Sequence, residues 1–405
     1  MRPILVVVLL HALIVRVGSL HIVFGAHNIP HPAKASTGGE DAFFFDDRLG
    51  TFGIADGVGG SRTGDPGEFS REVLRRCHQS AEWLGGDAEG EAPKVADMLQ
   101  MASEAPIALG GSTTLLLGQL EASRSRLTLL NLGDSGAMVL RPSLYHFGEP
   151  DNEIQVLFPR CVLRSQDQLH GFNWPYQASA RNLDRVTCQL DELTTHVREG
   201  DVLIAATDGL LDNLFDQEIQ ATVSEQLTAL MGDDPIAAQQ AISCLAWDLT
   251  ERANAVGLRD NDPALTTPWM ATAAEAGYQK VGGKLDDVAV VCGVVRQGER
   301  PALRVEHNLN GGIEGQFVAP AQHEDDGTPP APVAPSPAPA AAAAHASPAG
   351  AAGESSEEIA KRRWLSGERG IVMPTNTVPL AAPAAPSPAS APMSEYEKYM
   401  ASRMP

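Results

Sequence analysis

Between residues 22 and 295 the chain alternates segments of two hydrophobic periods. Apolar residues spaced three and four apart are typical of helices that pack on a core. They recur at 67–84, 92–105, 215–231 and 234–257. Short apolar runs bounded by turn residues are typical of strands. They fall at 41–56, 112–120, 126–141, 201–209 and, as the last strand expected, 286–295. Because clusters of strands are interrupted by helix pairs, the pattern predicts an α+β fold: two packed antiparallel β-sheets, a β-sandwich, flanked by helices on both outer faces.

The segment "DAFFFDDRLGTFGIAD" (41–56) predicts a β-hairpin. A symmetrical turn at its centre places Asp41 opposite Asp56 and Glu40 opposite Gly57. In an antiparallel pair, residues before one strand and after its partner lie at the same edge of the sheet. The hairpin is therefore expected to bring three acids to one edge.

Further acids flank apolar runs downstream. Asp208 follows the run 202–207, Asp286 precedes the run 288–295, and Asp134 follows "LTLLNLG". As neighbouring antiparallel strands, these runs would bring their acids to the same rim as the hairpin. Carboxylates this close repel one another, and an all-oxygen set of ligands suits Mg²⁺ or Mn²⁺. The sequence therefore predicts two such ions at one rim, with one carboxylate shared between them.

Each of these motifs also has a plainer interpretation, because Asp-Gly is a common turn dipeptide. Lys284 is the one basic residue expected beside the acids.

The whole chain carries 51 Asp and Glu against 30 Lys and Arg, a net charge of −21, which argues against binding to nucleic acid. Five widely spaced cysteines without a Cys-x-x-Cys pair predict neither a disulfide framework nor a zinc site.

The two ends of the chain differ from its middle. Residues 1–20 have the basic and apolar pattern of a signal peptide or an organellar presequence, and the apolar run is too short for a stable membrane span. The secretory pathway, mitochondrion and plastid all stay open as destinations. From residue 298 to 405 proline and alanine dominate, which predicts a disordered tail. Its segment 355–370 is a candidate partner-binding motif, and we expect the folded domain, 21–297, to be a monomer.

Five motifs resemble, in order, those of the metal-dependent (type 2C) serine/threonine protein phosphatases. They are "GGEDAFF" (38–44), "GIADGVGG" (53–60), "NLGDSG" (131–136), "ATDGLLDN" (206–213) and "GGKLDDVAVV" (282–291). The segments "GAHNIPHP" and "FNWPYQ" resemble the compact branch of that family, which has mitochondrial and plastid members. The family fold, a pair of antiparallel sheets flanked by helices, agrees with the fold expected from the hydrophobic pattern.

The resemblance implies a set of metal ligands. Asp56 matches the aspartate that bridges both ions, and Gly57 matches the glycine whose carbonyl binds one of them. The remaining ligands are matched by Glu40, Asp208 and Asp286. The three aspartates are the candidate catalytic residues.

The resemblance also implies a supporting layer. Asp41 would lie behind the ligands, whereas Asp134 and Asp212 match acids near a weaker third metal position.

Two positions depart from the family pattern. Many members carry an arginine four residues before the glutamate, where it binds phosphate, and here that residue is Ser36. Many also carry a histidine directly after the Asp-Gly step, a proposed proton donor, and here it is Val58. Lys34 and Arg62 are the nearby cations that are candidates for phosphate binding.

The resemblance implies hydrolysis of phosphoserine or phosphothreonine on a protein substrate. A water between the two ions would lose a proton and attack phosphorus directly, without a covalent enzyme intermediate. The cysteine-phosphatase signature is absent from the sequence, which agrees with that route. Two alternatives stay open: a pseudophosphatase that binds a phosphoprotein without turnover, and a structural module stabilised by calcium.

Overall fold

The computed structural model describes residues 19–59, 64–85, 94–104, 107–147, 154–298, 303–310 and 314–318. The predicted targeting segment lies outside them apart from its last two residues, of which Leu20 begins the first strand. The candidate phosphate-binding residue Arg62 and the predicted tail beyond residue 318, with its motif at 355–370, also lie outside them. Within the described residues, no helix is both long enough and apolar enough to span a membrane.

The strands are numbered in chain order. They are β1 (Leu20–Ile29), β2 (Ala42–Asp46), β3 (Thr51–Ala55), β4 (Ser112–Thr113), β5 (Leu115–Glu121), β6 (Arg126–Leu132), β7 (Gly136–Phe147), β8 (Ile154–Arg164), β9 (Leu169–Gly171), β10 (Trp174–Pro175), β11 (Ala178–Ser179), β12 (Asp191–His196), β13 (Val202–Ala206), β14 (Val288–Gln297), β15 (Leu303–His307) and β16 (Glu314–Val318).

Two large antiparallel sheets dominate the fold. The first sheet has the strand order β1-β14-β13-β7-β8, and the second has the order β12-β6-β5-β3-β2-β15-β16. The α-helices are α1 (Pro66–Gly85), α2 (Val95–Ser103), α3 (Asp208–Leu211), α4 (Asp216–Met231), α5 (Pro235–Gly257) and α6 (Pro268–Glu275). Helices α4 and α5 pack on the first sheet, and α1 and α2 pack on the second.

The side chains of strand β13 show why the layers stack in this order. Val202, Ile204 and Ala206 point into a core shared with α4 and α5, whereas Leu203 and Ala205 point into the core between the two sheets. Alternate residues of a strand face opposite sides of its sheet. A strand that is apolar at every position is therefore buried on both faces. Each fully buried large side chain contributes roughly 1.5–3 kcal/mol. The predicted sandwich with helices on both outer faces is confirmed.

The predicted hairpin register is also confirmed. Ala42 pairs with Ala55 and Asp46 pairs with Thr51 in strands β2 and β3. The predicted helices 67–84, 92–105, 215–231 and 234–257 correspond to α1, α2, α4 and α5, with shorter ends for α2.

Two strands lie beyond residue 297, where we expected the folded domain to end. Strand β15 pairs with β2 in the second sheet, with Val305 opposite Asp46, and β16 pairs with β15 at one edge of that sheet. The segment was missed because it is short and stands close to the proline-rich region, and because its pattern becomes a strand signal only once the partner strand is known.

Candidate metal centre

The rim of the sandwich collects the ends of strands from both sheets. Beyond the last paired residues of the hairpin, the Gly57 amide donates to the Glu40 carbonyl at 3.2 Å, as the register predicts. In the first sheet, the Thr207 amide donates to the Ala289 carbonyl at 3.1 Å, so Asp208 leaves β13 beside the start of β14. The loop before β14, which carries Asp286, therefore opens on the same rim.

Three aspartates from three different strand ends meet there. Asp56, Asp134 and Asp208 each offer a carboxylate oxygen, and these oxygens all lie within 4.8 Å of one another. Asp286 joins them through the Lys284 ammonium, which is 3.4 Å from an Asp286 oxygen and also contacts Asp208. The four acids are separated by up to 230 residues along the chain, so only the sandwich brings them together.

The backbone at Asp56 is fixed by two threonines. Its amide donates to the Thr114 hydroxyl at 2.9 Å, and its carbonyl accepts from the Thr113 hydroxyl at 2.8 Å. The next residue, Gly57, has no room for a side chain, because a Cβ atom there would stand 2.8 Å from the Glu40 carbonyl oxygen. The glycine is required by this close approach of the backbone.

Asp41 lies behind these carboxylates and is almost completely buried. Its Oδ2 accepts a hydrogen bond of 2.8 Å from the Thr207 hydroxyl, which in turn accepts from the Ala289 amide at 3.0 Å. The other oxygen, Oδ1, is buried without a hydrogen-bond partner. Asp41 is therefore held by the first sheet although its own strand belongs to the second.

Two lysines flank the acids on opposite sides. Lys34 lies 2.6 Å from Glu40 and 2.8 Å from Asp287, and its side chain is 31% exposed. Lys284 lies 2.8 Å from Asp212, and its side chain is only 14% exposed. For both lysines burial acts to lower the pKa, but the neighbouring carboxylates outweigh it and raise the pKa above its ordinary value.

The rim acids repel one another. Burial, and then the charges of neighbouring aspartates, raises the pKa of the carboxyl groups of Asp41, Asp56, Asp134 and Asp286 above the ordinary range. For Asp212, burial outweighs the opposing effect of Lys284 and raises the pKa to about 6. Even with two lysines nearby, the ionised forms are therefore destabilised, and additional positive charge would stabilise them.

The donor set fits a hard divalent cation. Buried oxygens of Asp41, Asp134 and Asp208 have no hydrogen-bond partner within the described residues. Such unpartnered buried oxygens are costly unless a cation or another donor meets them. The set consists of carboxylates and contains no cysteine or histidine, which suits Mg²⁺ or Mn²⁺ rather than zinc.

A cleft of about 300 Å³ opens next to the acids. Its walls include Asp134, Arg164, Asp167 and Asp208, and helix α6 contributes Thr272. Phe172, in the turn between β9 and β10, stacks on Trp269 of α6 with ring centres 4.6 Å apart. The segment "FNWPYQ" is thereby joined to α6 close to this cleft.

Sequence reasoning missed Asp287 and Asp167. Asp287 is buried, accepts from the His31 amide at 2.7 Å and pairs with Lys34, so it ties the short 3₁₀-helix Pro32–Thr37 to the rim. Asp167 lines the cleft, and burial raises the pKa of its carboxyl group. The doublet Asp286-Asp287 was a signal for the first of these, whereas no pattern singled out Asp167. Ser36 is exposed on the same 3₁₀-helix.

The fold and the rim together define a class: an α+β sandwich protein with a buried acidic site suited to divalent cations. No family model matches the chain. The chain is 35% identical over 279 residues to "Probable protein phosphatase 2C 80" of Arabidopsis thaliana, which covers 68% of this chain and 59% of that protein. It is 32% identical over 289 residues to "Probable protein phosphatase 2C 1" of Oryza sativa subsp. japonica, with 68% and 76% covered.

A solved structure is similar as well. The X-ray structure of the photosystem II phosphatase PBCP matches with a TM-score of 0.51 and 27% identity, over 67% of this chain and 98% of that one. The chain belongs to the protein phosphatase 2C family. It spans 59% and 52% of the length of two of the curated relatives it matches.

Proposed function

We propose that this chain is a metal-dependent hydrolase of phosphoserine and phosphothreonine in protein substrates. The observation that carries the proposal is the trio Asp56, Asp134 and Asp208, whose oxygens lie within 4.8 Å of one another. Two of these residues have buried oxygens without a partner. Membership of the protein phosphatase 2C family supports the same reaction class.

The residues that would hold two Mg²⁺ or Mn²⁺ ions are those at the strand ends. We assign the shared carboxylate to Asp56, as the family resemblance implies, and oxygens of Asp134 and Asp208 lie within 4.8 Å of an Asp56 oxygen. The remaining ligands are the Gly57 carbonyl and the carboxylates of Glu40, Asp208 and Asp286. When bound, such ions lower the pKa of water and offset the negative charge of phosphoryl oxygens.

The chain's own residues contribute position and charge. Thr113 and Thr114 fix the backbone of Asp56, and Thr207 fixes Asp41 behind it. Lys34 is the cation best placed to meet a phosphoryl group, because its ammonium is on the rim and about a third exposed. We therefore assign Lys34 to phosphate binding in place of the arginine that Ser36 replaces. Arg62 stays a candidate from the sequence alone.

The cleft beside the acids is the proposed binding site for the part of the substrate next to the phosphorylated residue. Its walls carry Arg164 and Gln217 as well as Asp167, so it suits a polar peptide segment next to the phosphorylated residue. The phosphoryl group would then lie at the Asp208 end of the cleft.

The test is Mn²⁺-dependent release of phosphate from a phosphothreonine peptide. Asp56→Asn and Asp208→Asn should each lower kcat/KM by roughly a thousandfold or more, because a catalytic metal ion contributes several kcal/mol. Asp262→Asn is the matched control, since Asp262 is a surface residue paired with Arg259. Lys34→Met should raise KM for the phosphopeptide while Mn²⁺ still binds.

Metal-binding calorimetry and thermal melting with Mn²⁺ and Ca²⁺, run beside the phosphatase assay, decide between the alternatives. A pseudophosphatase would bind Mn²⁺ and the phosphopeptide without releasing phosphate, and a structural module would be stabilised by Ca²⁺ in preference to Mn²⁺. Full activity in both Asp→Asn variants would refute the proposed site.

A further inference from the structure

We infer that the Lys284 ammonium takes the third-cation position of this rim and limits the centre to two divalent ions. The family resemblance places a weaker third ion near Asp134 and Asp212. The inference deepens the proposed function and rests on the proposed pair of ions.

The contacts of the ammonium carry the inference. It lies 2.8 Å from an Asp212 oxygen and 3.4 Å from an Asp286 oxygen, and it contacts Asp208. The indole ring of Trp269 covers it at 5.2 Å from the ring centre. Three carboxylates and an aromatic face therefore surround one buried cation, in the place where acids alone would attract an ion.

The backbone of Lys284 is fixed as firmly as its side chain. Its amide donates to the Asn213 Oδ1 at 2.9 Å, and its carbonyl accepts from the Asn213 Nδ2 at 2.8 Å. The preceding Gly283 packs so closely that a Cβ atom there would stand 2.1 Å from the Val256 carbonyl oxygen. Since Asn213 directly follows Asp212 in the chain, one short segment aligns both the lysine and its main carboxylate partner.

Charge repulsion then disfavours a third divalent ion next to the Lys284 ammonium. Two like charges a few ångströms apart repel far more strongly at a protein surface than in bulk water, because the effective dielectric is lower there. A divalent ion next to the ammonium would meet about twice that repulsion, and it would compete for the Asp212 oxygen that the lysine already holds. The ammonium contacts Oδ2 of Asp208, whereas Oδ1 of Asp208 and Oδ1 of Asp134 have no partner within the described residues and stay available to the proposed pair of ions.

The test is the number of Mn²⁺ ions bound by the full chain, measured by equilibrium dialysis to millimolar Mn²⁺. The wild type should bind two ions, and Lys284→Met should bind a third with weaker affinity. Lys280→Met is a matched control that should bind two, because Lys280 stands over the same Trp269 ring at 5.4 Å. Lys280 forms no ion pair with the rim acids in the part of the chain that the structure describes.

Lys284→Arg, which keeps the charge, should also bind two ions, and it serves if circular dichroism shows that the methionine variant does not fold. Three ions in the wild type, three in Lys284→Arg, or two in a folded Lys284→Met would each overturn the inference while leaving the proposed function intact. A wild type that binds no Mn²⁺ at all would overturn both.

Discussion

The hairpin of β2 and β3 carries buried acids at both ends, and the two ends differ in how their carboxylates are paired. At the rim, Glu40, Asp41 and Asp56 gather where the strands open. At the turn, Asp46 and Asp47 lie at the opposite end of the same strands. Geometry alone makes both ends look like metal sites, because Asp46, His78 and Glu82 also bring three ligand atoms within 4.8 Å.

At the turn, the carboxylate of Asp46 has its hydrogen-bond partners within the protein. Arg48 donates two side-chain hydrogen bonds to Asp46, of 3.1 Å from Nε to Oδ1 and 2.6 Å from Nη2 to Oδ2. The same guanidinium reaches Glu82 at 3.0 Å. Burial acts to raise the pKa of Asp46, but the hydrogen bonds from His78 and Arg48 outweigh it and lower the pKa. A metal ion would have to displace an arginine that already fits both oxygens.

The rim is left incomplete by protein groups. Its lysines offer point charges rather than a bidentate fork, and buried oxygens of Asp41, Asp134 and Asp208 lack partners. The pKa of Asp56 is raised, in contrast to that of Asp46. A candidate metal centre therefore differs from a structural ion pair in two ways. Its carboxyl groups have raised pKa values, and some of their buried oxygens have no hydrogen-bond partner.

The largest effect that tests this contrast is on stability. Arg48→Met should lower the free energy of unfolding by about 3 kcal/mol, near the lower limit for breaking a buried ion pair. The lower limit applies because the Arg48 side chain is 34% exposed whereas Asp46 is fully buried. Urea unfolding measures it, with Glu82→Gln as the control that should cost under about 1 kcal/mol as a surface pair.

Arg48→Met should leave Mn²⁺ affinity unchanged, since the turn is at the far end of the strands. A large loss of Mn²⁺ affinity in this variant would mean that the two ends are not independent.

The second effect concerns the support of the ligands. Thr207→Val removes the hydroxyl that holds Asp41 and should weaken Mn²⁺ binding by about 10- to 100-fold, the usual cost of losing a group that orients a ligand. Titration calorimetry measures it. Thr250→Val is matched, because Thr250 is equally buried and bonds only within α5, to the Ala246 carbonyl at 2.7 Å. Equal Mn²⁺ affinity in both variants would contradict this role of Thr207.

The rim could be predicted from the sequence because it depends on local rules. A symmetrical hairpin fixes which residues face each other, so the sequence predicts Glu40 opposite Gly57, and the backbone hydrogen bond between these two residues agrees. Asp208 and Asp286 followed from the expectation that their strands are antiparallel neighbours, which β13 and β14 are.

What could not be predicted depends on contacts between distant segments. The pairing of Lys34 with Asp287 joins residues 253 positions apart. Lys34 lies in the short 3₁₀-helix Pro32–Thr37, which the hydrophobic pattern does not predict, and Asp287 directly precedes β14. The strand β15 was missed for a related reason, because its partner β2 is far away in the sequence. The roles of Glu40 and Lys34 in binding metal and phosphate stay predictions.

The smallest effect is the pH dependence of stability without metal. The pKa of Asp212 is about 6 in the folded protein, against about 3.9 in an unfolded chain. Because the folded value is raised, the protonated carboxyl stabilises the fold in acid, and this contribution is lost as the pH rises through about 6. In EDTA, stability should fall by about 1 kcal/mol from this group between about pH 5 and pH 7.

Saturating Mn²⁺ distinguishes the contribution of the rim acids to the pH dependence of stability from that of the turn. Burial raises the pKa of Asp47, at the turn, to about 7, so its contribution has the same sign and is lost as the pH rises through about 7. Ions bound at the rim should remove the part of the slope that comes from the rim acids but not the part from Asp47, which Asp47→Asn removes instead. Thermal melting at several pH values measures both parts. An identical slope in EDTA and in Mn²⁺ would show that the rim acids are not the groups the ions meet.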